Sequence, residues 1–524
     1  MADGQEVEQG PGWRGALLLT VFASICMSTA VALVLSHTAR EGQSVDPDTS
    51  VEWQAVLFLA VLVFQLVLNV TFSIPVVCVF FLRRLEALRC RRGLKEYDLL
   101  ARGANSDDME AGNTETGADE ITAIIPCYLP NEQDIIEGTL TYILQNLEAP
   151  GELVLWLVYN TSEDMPEVEG RLLDMAARND LPHGRRLVVS RCRDSGSKAE
   201  NLNSALSQIT SKYVAIYDAD HHPDPGSLLM LYHKLRANNL DCVQGSTYIR
   251  NLDQGGALGR FVDAEFFFNY FMNQPSARFL TKIAYFGGSN ALWSREALSA
   301  LGFRKDMQTE DIDVSFRAIV ENRRIDLCPE AQSGELAPAS MYAFFRQRMR
   351  WTVGWDQVSL DLFGKLRHSK ASLPTNVGVI HLLYVRWFNI IAGFAAGVVV
   401  PILHAQGRLN IGRHSVLGMA ASELQFGVFI LFASSGFCMI CEGIIHAWFR
   451  NWRFSQIPVL IVFLLSGSIY ATYQLLMVGV SLTKIVLGKT GEWYVSPRRD
   501  TESAARAQEP SSAAEPLVIM NAPL

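Results

Sequence analysis

The sequence predicts an α/β domain with a doubly wound, mostly parallel sheet, inserted between α-helical transmembrane segments. In the middle of the chain, short apolar runs alternate with longer polar or helix-like segments, as they do in parallel sheets that are covered by helices. Long apolar runs lie on both sides of that region. Each of them is long enough for the roughly 20 apolar residues that a helix needs to cross a bilayer.

Composition narrows the class of function. The chain has 524 residues, of which 49% are hydrophobic and 19% are charged, and its formal net charge is -9. A protein that binds nucleic acid through a basic surface needs an excess of Lys and Arg to neutralise phosphates. We therefore expect no nucleic-acid partner and expect the lipid bilayer to be one of the surfaces that the protein contacts.

The N-terminal membrane region, residues 1–100, is predicted to contain two spans at residues 15–35 and 55–82. A basic cluster follows the second span directly, and such clusters stay on the cytosolic side of a membrane. The chain after the second span is therefore expected to begin in the cytosol. The cluster consists of Arg83, Arg84, Arg89, Arg91, Arg92 and Lys95.

The C-terminal membrane region, residues 377–488, shows three apolar runs at 377–403, 424–445 and 457–487. Three crossings would leave the basic residues after them outside, against the positive-inside rule. The last run is about 31 residues, too long for one upright span, so a tilted helix, a helix extending into the cytosol and a fourth crossing all remain open. We favour six crossings in total, an integral multi-pass protein of the plasma membrane or the Golgi, with both termini cytosolic.

Three polar groups lie inside these apolar runs: Arg386, Asn389 and Glu442. Such groups face either an aqueous path or a neighbouring helix. Both interpretations, channel lining and interhelical pairing, are kept.

Three segments complete the domain plan. Residues 101–120 and 489–524 are rich in polar and small residues and are predicted to be a flexible linker and a largely disordered cytosolic tail. Residues 341–376 mix aromatic with basic side chains, which is typical of interfacial amphipathic helices. The soluble α/β domain is predicted to span residues 121–340.

Polar loops follow the four predicted strands, residues 121–127, 153–159, 187–192 and 213–217. Ligands bind at the carboxyl edge of such sheets, so these loops are expected to form one pocket. Asp218 and Asp220 end the fourth strand, and alternation directs both carboxylates to the same side, a hard-oxygen site for Mg or Mn holding a diphosphate. The other residues of these loops that we assign to the pocket are Tyr128, Glu132, Asn160 and Lys198.

The order of three motifs resembles the D-x-D, T-E-D and Q-x-x-R-W series of membrane-embedded family 2 glycosyltransferases, the group of cellulose, chitin and hyaluronan synthases. The motifs are Asp218-Ala-Asp220, Thr309-Glu310-Asp311 and Gln347-Arg-Met-Arg350-Trp351. The resemblance covers roughly residues 121–355 and the plan of flanking spans, and it implies a GT-A fold. One departure is Asn160, since family members commonly have an acidic residue there to contact the nucleotide.

The resemblance implies a role for each motif. Asp220 and Asp218 would hold the Mg or Mn ion, Lys198 and Arg350 would add positive charge near the diphosphate of a UDP-sugar, and Tyr128 would stack on uracil. Asp311, beside Glu310, would be the general base at the start of a helix, where the dipole favours a carboxylate. Acceptor or channel contacts are assigned to Trp351, Trp355, Phe286, Gly288 and Ser289, with Gln347 close to them.

The expected function is that of an inverting, processive glycosyltransferase that makes a β-linked polysaccharide from a UDP-sugar and moves it through its own transmembrane channel. A β-glucan is the first expectation and a polymer containing N-acetylglucosamine the second. The alternative is a non-processive UDP-sugar:lipid glycosyltransferase with a ceramide or polyprenol acceptor. A transporter with a silent nucleotide domain is a third interpretation. The expected partners are the UDP-sugar, the growing polysaccharide and the bilayer, and accessory subunits are left open.

Overall fold

The structure is a computed structural model. It describes residues 69–92, 119–178, 180–394, 419–449 and 452–489, with the isolated positions 62, 66, 67, 398, 399, 402, 405, 406, 415 and 416. The first predicted span, most of the second, the linker up to residue 118 and the tail from residue 490 lie outside the described residues.

Eight strands form one sheet in the order β3-β2-β1-β4-β7-β6-β8-β5. A two-stranded ribbon of residues 415–416 and 419–420 lies apart from it. The strands of the main sheet are β1 (Ile121–Tyr128), β2 (Leu153–Asn160), β3 (Arg185–Arg191), β4 (Tyr213–Ile216), β5 (His222–Pro223), β6 (Cys242–Ile249), β7 (Ala291–Ser294) and β8 (Ile325–Glu335).

Helices precede, cover and follow this sheet. In chain order they are α1 (Ser73–Arg92), α2 (Leu129–Glu132), α3 (Ile136–Asn146), α4 (Pro166–Ala176), α5 (Lys198–Leu206), α6 (Ser227–Ala237), α7 (Leu252–Phe267), α8 (Gln274–Thr281), α9 (Arg295–Leu301), α10 (Glu310–Val320), α11 (Met341–Phe363), α12 (Leu373–Ile380), α13 (Arg386–Phe394), α14 (Ala421–Phe449), α15 (Ile457–Leu465) and α16 (Gly467–Val486). Two π-helical turns, Phe268–Asn273 and His381–Val385, join α7 to α8 and α12 to α13.

The sheet is mixed, which corrects the prediction of a mostly parallel one. Strands β1 to β4 pair in parallel, as predicted, but β7 is antiparallel to both β4 and β6, and β5 is antiparallel to β8. The reversal follows a loop in which Gly288 (φ 93°) and Asn290 (φ 51°) adopt the left-handed region, which turns the chain just before β7.

Both faces of the sheet are buried, which explains why β1, β2 and β4 are nearly continuous apolar runs. Neighbouring residues of β1 contribute to different cores: Ile125 packs with α3, α4 and α6 on one face, and Ile124 packs with α5, α10 and α11 on the other. The doubly wound arrangement predicted from the sequence is therefore present. It holds the carboxyl ends of β1, β2 and β4 on one edge.

One helix among the described residues, Phe426–Trp448 within α14, is long and apolar enough to cross a membrane by length and composition. Shorter apolar helices occupy Phe454–Leu465 and Thr472–Val486. The long apolar run at 457–487 is thus two helices, since α15 ends and α16 begins on either side of Ser466. The run at 377–403 is described continuously only to residue 394, so the number of crossings stays a prediction.

Two of the three polar groups inside the apolar runs have charged partners on other helices. Arg386 of α13 contacts the fully buried Asp356 of α11, and Trp387 donates to the same carboxylate at 2.9 Å. Glu442 of α14 accepts from Arg84 of α1 at 2.7 Å. Interhelical pairing is therefore the interpretation that the geometry of Arg386 and Glu442 supports, and the side chain of Asn389 lies outside what the structure describes.

Candidate active site

The loops at the carboxyl edge of the sheet meet around one ammonium group, that of Lys198 at the start of α5. Its Nζ atom lies 2.5 Å from Oδ1 of Asp218 and 3.4 Å from Oε1 of Glu310, and it donates to the carbonyl of Gly288 at 3.0 Å. Loops that are distant in the sequence thus converge on a single, largely buried cation. The predicted convergence of the polar loops is present for these residues.

Asp218 and Asp220 are held by backbone contacts at the end of β4. The backbone N–H of Asp218 donates to the hydroxyl of Ser289 at 3.0 Å, and Oδ2 of the buried Asp220 accepts from the backbone N–H of Leu336 at 3.2 Å. The described residues contain no group of three or more His, Cys, Asp or Glu side chains that could hold a metal ion. Two carboxylates nevertheless fit Mg or Mn, because Mg is usually held by one or two carboxylates together with substrate phosphates.

Asp311 lies in the first turn of α10, as the sequence predicts, and faces Gly288. A Cβ atom at position 288 would lie only 2.8 Å from Oδ2 of Asp311. Position 288 also has φ at 93°, a conformation that side chains disfavour. Only glycine therefore leaves room for the carboxylate of Asp311 beside the backbone carbonyl that accepts a hydrogen bond from Lys198.

Burial controls the protonation of this cluster. Burial, and then the charge of Glu310, raise the pKa of Asp311 to about 7, while Lys198 and Arg350 oppose the shift. Burial alone lowers the pKa of Lys198, but Asp218 and Glu310 raise it by more, so its pKa is raised and it stays charged. A carboxyl group with a pKa near 7 is suited to remove a proton at neutral pH.

Turnover is expected to depend on pH through Asp311. A base works only when it is ionised, so kcat/KM should fall as the pH drops through about 7, where the Asp311 carboxylate takes up a proton. Glu310→Gln removes a charge that raises this pKa, so the acidic limb should move to lower pH. The measurement is kcat/KM for UDP release between pH 5 and pH 9, and a limb that Glu310→Gln leaves in place would contradict the assignment.

Helix α11 brings the Q-x-x-R-W residues to the same region. Nη1 of Arg350 donates at 3.3 Å to the carbonyl of Gln308, the residue that precedes the T-E-D motif. Gln347 is buried and accepts from Arg348 at 2.8 Å. Trp351 is partly buried and packs against an apolar cluster that includes Phe344. The helix is thus joined to the T-E-D loop through Arg350, and its Trp351 packs on the neighbouring apolar cluster.

A close contact without space for a side chain fixes α11 against the T-E-D loop. A Cβ atom at Gly354 would lie 2.1 Å from Oγ1 of the buried Thr309. Thr309 is β-branched and cannot move aside as the end of a long side chain can. The distance between the Q-x-x-R-W helix and Asp311 is therefore set by a glycine.

Gly354→Ala is expected to destabilise the protein by about 1–3 kcal/mol, the usual effect of overpacking, and to reduce turnover because Asp311 shifts relative to Trp351. Thermal unfolding of the detergent-solubilised protein and UDP release would measure both effects. Gly364→Ala is the matched control, since a Cβ there meets nothing within 4 Å. Equal unfolding temperatures for the two variants would contradict the close contact.

The predicted nucleotide residues are tied into the loops of β1 and β2. The Tyr128 hydroxyl lies 3.3 Å from that of Ser162, and the Tyr128 backbone N–H donates to Glu132 at 2.9 Å. Asn160 is buried; its amide donates to the carbonyl of Ser195 at 3.0 Å and accepts from Asn201 at 2.8 Å. Asn160 therefore joins the end of β2 to the loop before α5 and to α5 itself, and its contact with a nucleotide stays a prediction.

Two of the residues assigned to the acceptor pack beneath the site. Phe286 is fully buried, edge-to-face with Trp293. Trp355 is edge-to-face with Tyr285 and Phe316 at 5.3 and 5.8 Å. An acceptor contact by Phe286 or Trp355 stays a prediction, whereas Gly288 and Ser289 lie at the carboxylate cluster itself.

Sequence reasoning missed two polar residues that shape the site, the buried Gln244 and the partly buried Tyr270. Gln244 accepts from the backbone N–H of Gly287 at 2.8 Å and donates to the carbonyl of Ser289 at 2.9 Å, which fixes the loop before β7. Tyr270 lies on a π-helical turn; burial raises its pKa, and the charges of Glu335 and Asp311 add to the shift. Such turns are frequent at functional sites, but no sequence pattern announces them.

The fold and the site together define a glycosyltransferase of the GT-A type. The family model described as "Glycosyl transferase family group 2" matches residues 213–487, and the model described as "Glycosyl transferase family 2" matches residues 122–302. The chain belongs to the group 2 family of glycosyl transferases, and it is an enzyme of that class.

Curated relatives with a named product match part of the chain. The poly-beta-1,6-N-acetyl-D-glucosamine synthase of Staphylococcus epidermidis is 27% identical over 256 residues, which cover 48% of this chain and 59% of the relative. The protein of the same name from Staphylococcus aureus strain MSSA476 is 26% identical over 256 residues. The matched region thus spans 59% of the length of these relatives.

Solved structures resemble the chain more distantly. A mannosyltransferase from Pyrobaculum calidifontis in complex with GDP-Man and Mn²⁺ aligns with a TM-score of 0.41 at 19% identity, over 76% of this chain and 99% of that one. The TarS protein of S. aureus aligns with a TM-score of 0.36 at 12% identity, over 66% of this chain and 55% of that one.

Proposed function

We propose that the protein is an inverting, processive glycosyltransferase that extends a β-linked polysaccharide from a UDP-sugar and passes it across the membrane. One observation supports this proposal above the others. A carboxyl group with a pKa near 7, Asp311, lies beside a buried lysine and the D-x-D pair, and the Q-x-x-R-W helix is packed against its loop. The elements for binding a diphosphate and for activating a hydroxyl are therefore adjacent.

The donor end of the site is formed by cations and by the D-x-D carboxylates. Asp218 and Asp220 would hold a Mg or Mn ion, which neutralises charge on the diphosphate of a bound UDP-sugar. Lys198 and Arg350 supply fixed positive charge at the same place, and fixed charges in a buried site stabilise a leaving group strongly. The resemblance implies that the nucleotide end of the pocket is lined by Tyr128, Glu132 and Asn160.

The acceptor end is where Asp311 acts. Its carboxylate takes the proton of the acceptor hydroxyl while the hydroxyl oxygen forms a bond to the anomeric carbon, and the bond from that carbon to the diphosphate breaks. Burial, and then the charge of Glu310, keep the pKa of Asp311 high, so that the proton transfer is favourable near neutral pH. Trp351 offers an apolar face for the sugar ring that carries the hydroxyl.

The path of the product is proposed to run beside α16. Phe344 of α11 stacks on Tyr473 of α16 at 6.3 Å between ring centroids, and Trp351 packs on the same cluster. The aromatic surface that would hold the acceptor, formed by Trp351 and Phe344, is therefore continuous with the apolar helix α16. We call this surface the acceptor platform. We propose that this helix and its neighbours cross the bilayer, with the catalytic domain in the cytosol, and that the growing polysaccharide passes between them.

N-acetylglucosamine is the donor sugar that we propose first, and glucose is the second candidate. The sequence motifs favoured a β-glucan, whereas the staphylococcal relatives carry the name of a poly-beta-1,6-N-acetyl-D-glucosamine synthase. We also propose, from the three sequence motifs, that the protein is related in function to the cellulose, chitin and hyaluronan synthases.

The test is UDP release by the purified chain in lipid nanodiscs with Mg or Mn, across UDP-N-acetylglucosamine, UDP-glucose, UDP-galactose and UDP-glucuronate. The products are then sized and digested with linkage-specific glycosidases. A long polymer from one donor, or an alternating one from two, supports the proposal. Release only with an added lipid acceptor, and without polymer, would establish the lipid glycosyltransferase instead, and no release from any donor would favour the silent nucleotide domain.

A further inference from the structure

Arg348 lies inside the Q-x-x-R-W segment and has no part in the mechanism proposed above. Its side chain is almost fully buried. Nε and Nη2 donate to the two oxygens of Glu265 at 3.2 and 2.5 Å, and Nη1 donates to the Gln347 amide oxygen at 2.8 Å. The guanidinium group therefore has a fixed orientation, because a planar fork bonded on two sides cannot rotate.

Aromatic rings enclose the same guanidinium group. Its central carbon lies 4.1 Å from the ring centre of Trp351 and 4.6 Å from that of Phe344. A cation at this distance is attracted to the ring, and Arg also stacks on it as a plane, which Lys cannot do. The orientation of the Trp351 indole is thus coupled to the orientation of Arg348.

Glu265, whose carboxylate pairs with Arg348, connects these residues to the predicted membrane region. Glu265 lies in the last turn of α7, shortly before the π-helical turn that carries Tyr270. Its Oε1 atom accepts from the hydroxyl of Tyr470 on α16 at 2.7 Å. A single chain of contacts therefore runs from the motif tryptophan through Arg348 and Glu265 to α16.

We propose that Arg348 is a positioning residue that holds Trp351 and Gln347 in place for the acceptor sugar, and that Glu265 and Tyr470 couple this platform to α16. The proposal rests on the proposed function, because it needs an acceptor chain that occupies Trp351 and leaves along α16. Arg348 contacts neither the D-x-D pair nor Lys198 in the described structure, so its effect is confined to the acceptor side.

This placement separates the acceptor step from donor binding. In Arg348→Lys the charge opposite Glu265 remains, but the fork and the stacking on Trp351 are lost. We expect kcat for polymer formation to fall about tenfold or more, because small misplacements of reacting groups are costly, while KM for the donor stays within about twofold. The ratio of UDP released to sugar incorporated should rise, because water can hydrolyse the UDP-sugar when the acceptor is displaced.

Tyr470→Phe tests the connection to α16 with a milder change. It removes one hydrogen bond to Glu265 and keeps the ring, so the protein is expected to fold and to retain its donor KM. Polymers should be shorter than those of the wild type, and the effects of Arg348→Lys and Tyr470→Phe should not be additive in the double variant, because both act through Glu265.

Arg453→Lys is the matched control. Arg453 also joins α7 to the membrane region, by an ion pair of 2.6 Å with Asp253, but both side chains are largely exposed, and Asp253 is in the first turn of α7 whereas Glu265 is in the last. This variant should keep the wild-type rate, coupling ratio and polymer length.

The outcomes separate the positioning role from the proposed function. A wild-type protein that releases no UDP from any donor overturns the proposed function and the positioning role with it. A wild-type polymerase whose Arg348→Lys and Tyr470→Phe variants keep the normal coupling ratio and polymer length overturns the positioning role alone. So does a variant in which donor affinity, kcat and unfolding temperature decline together, because that is the behaviour of a residue that only stabilises the fold.

Discussion

Asp311→Asn is expected to lower turnover by about 10²- to 10⁴-fold, the usual loss when general-base assistance is removed. The amide has the shape of the carboxylate, so the contact with Gly288 is kept and donor binding should change little. Turnover is measured as UDP release at saturating donor, and donor affinity by titration calorimetry with UDP.

The matched control is Asp306→Asn, a substitution of the same kind on the loop before α10. Asp306 is largely exposed and pairs with Arg304 at 3.0 Å, away from Lys198. It should keep nearly full turnover. An Asp311→Asn enzyme that retains more than about one per cent of turnover would not be using Asp311 as its base.

Lys198→Met is the second change with a large expected effect. The side chain of Lys198 is largely buried and lies between Asp218 and Glu310, and removal of one partner from a buried ion pair costs about 3–5 kcal/mol. The charge of Lys198 also lowers the pKa of Asp311, so its loss should raise that pKa further and leave less carboxylate at neutral pH. Turnover at pH 7 should fall by about 10²- to 10³-fold, as when a single charge-stabilising donor is lost.

Two measurements distinguish the loss of the Lys198 charge from a general destabilisation of the fold. The acidic limb of the pH profile should move to higher pH in Lys198→Met, opposite to its movement in Glu310→Gln. Lys305→Met is the control, because Lys305 forms an exposed ion pair with Glu200 at 2.9 Å and contacts none of the carboxylates at Gly288. A limb that stays in place in Lys198→Met, with unchanged stability, would show that the cation is not coupled to Asp311.

The parallel half of the sheet was predictable because its strands are buried on both faces. The expected runs at 121–127, 153–159, 187–192 and 213–217 correspond to β1 through β4 within about two residues at each end. The helix start at the T-E-D motif was predictable as well, since acidic residues followed by apolar periodicity are typical of a helix N-terminus.

The antiparallel half was not predictable from periodicity. Strand β7 has only three apolar residues before Ser294, and β6 carries the buried polar residues Gln244 and Ser246, so neither forms a long apolar run. The antiparallel pairing of β7 depends on the turn at Gly288 and Asn290, and the parallel pairing of β6 with β8 contains a bulge between Gln244 and Ser246; both are tertiary features. The mixed character of the sheet followed from these local reversals.

The partners of the basic residues on α11 were also not predictable from the sequence. The sequence placed Arg348 among the basic residues of an interfacial helix, because Lys and Arg are favoured near anionic headgroups. In the structure Arg348 is buried against Glu265, while Arg350, two positions further along the chain, reaches the T-E-D loop. Helical position alone could not assign them, since the partner of each lies on a distant segment.

We propose that Asp311 activates an acceptor hydroxyl for one direct displacement at the anomeric carbon. A single displacement inverts that carbon, so an α-linked UDP-sugar must give a β-linked product. The most direct test is the anomeric configuration of the first linkage formed by the purified protein, read from the proton coupling constant of the new anomeric centre by NMR. We expect a β-linkage that is absent in Asp311→Asn, and an α-linkage from the wild-type protein would exclude a single displacement.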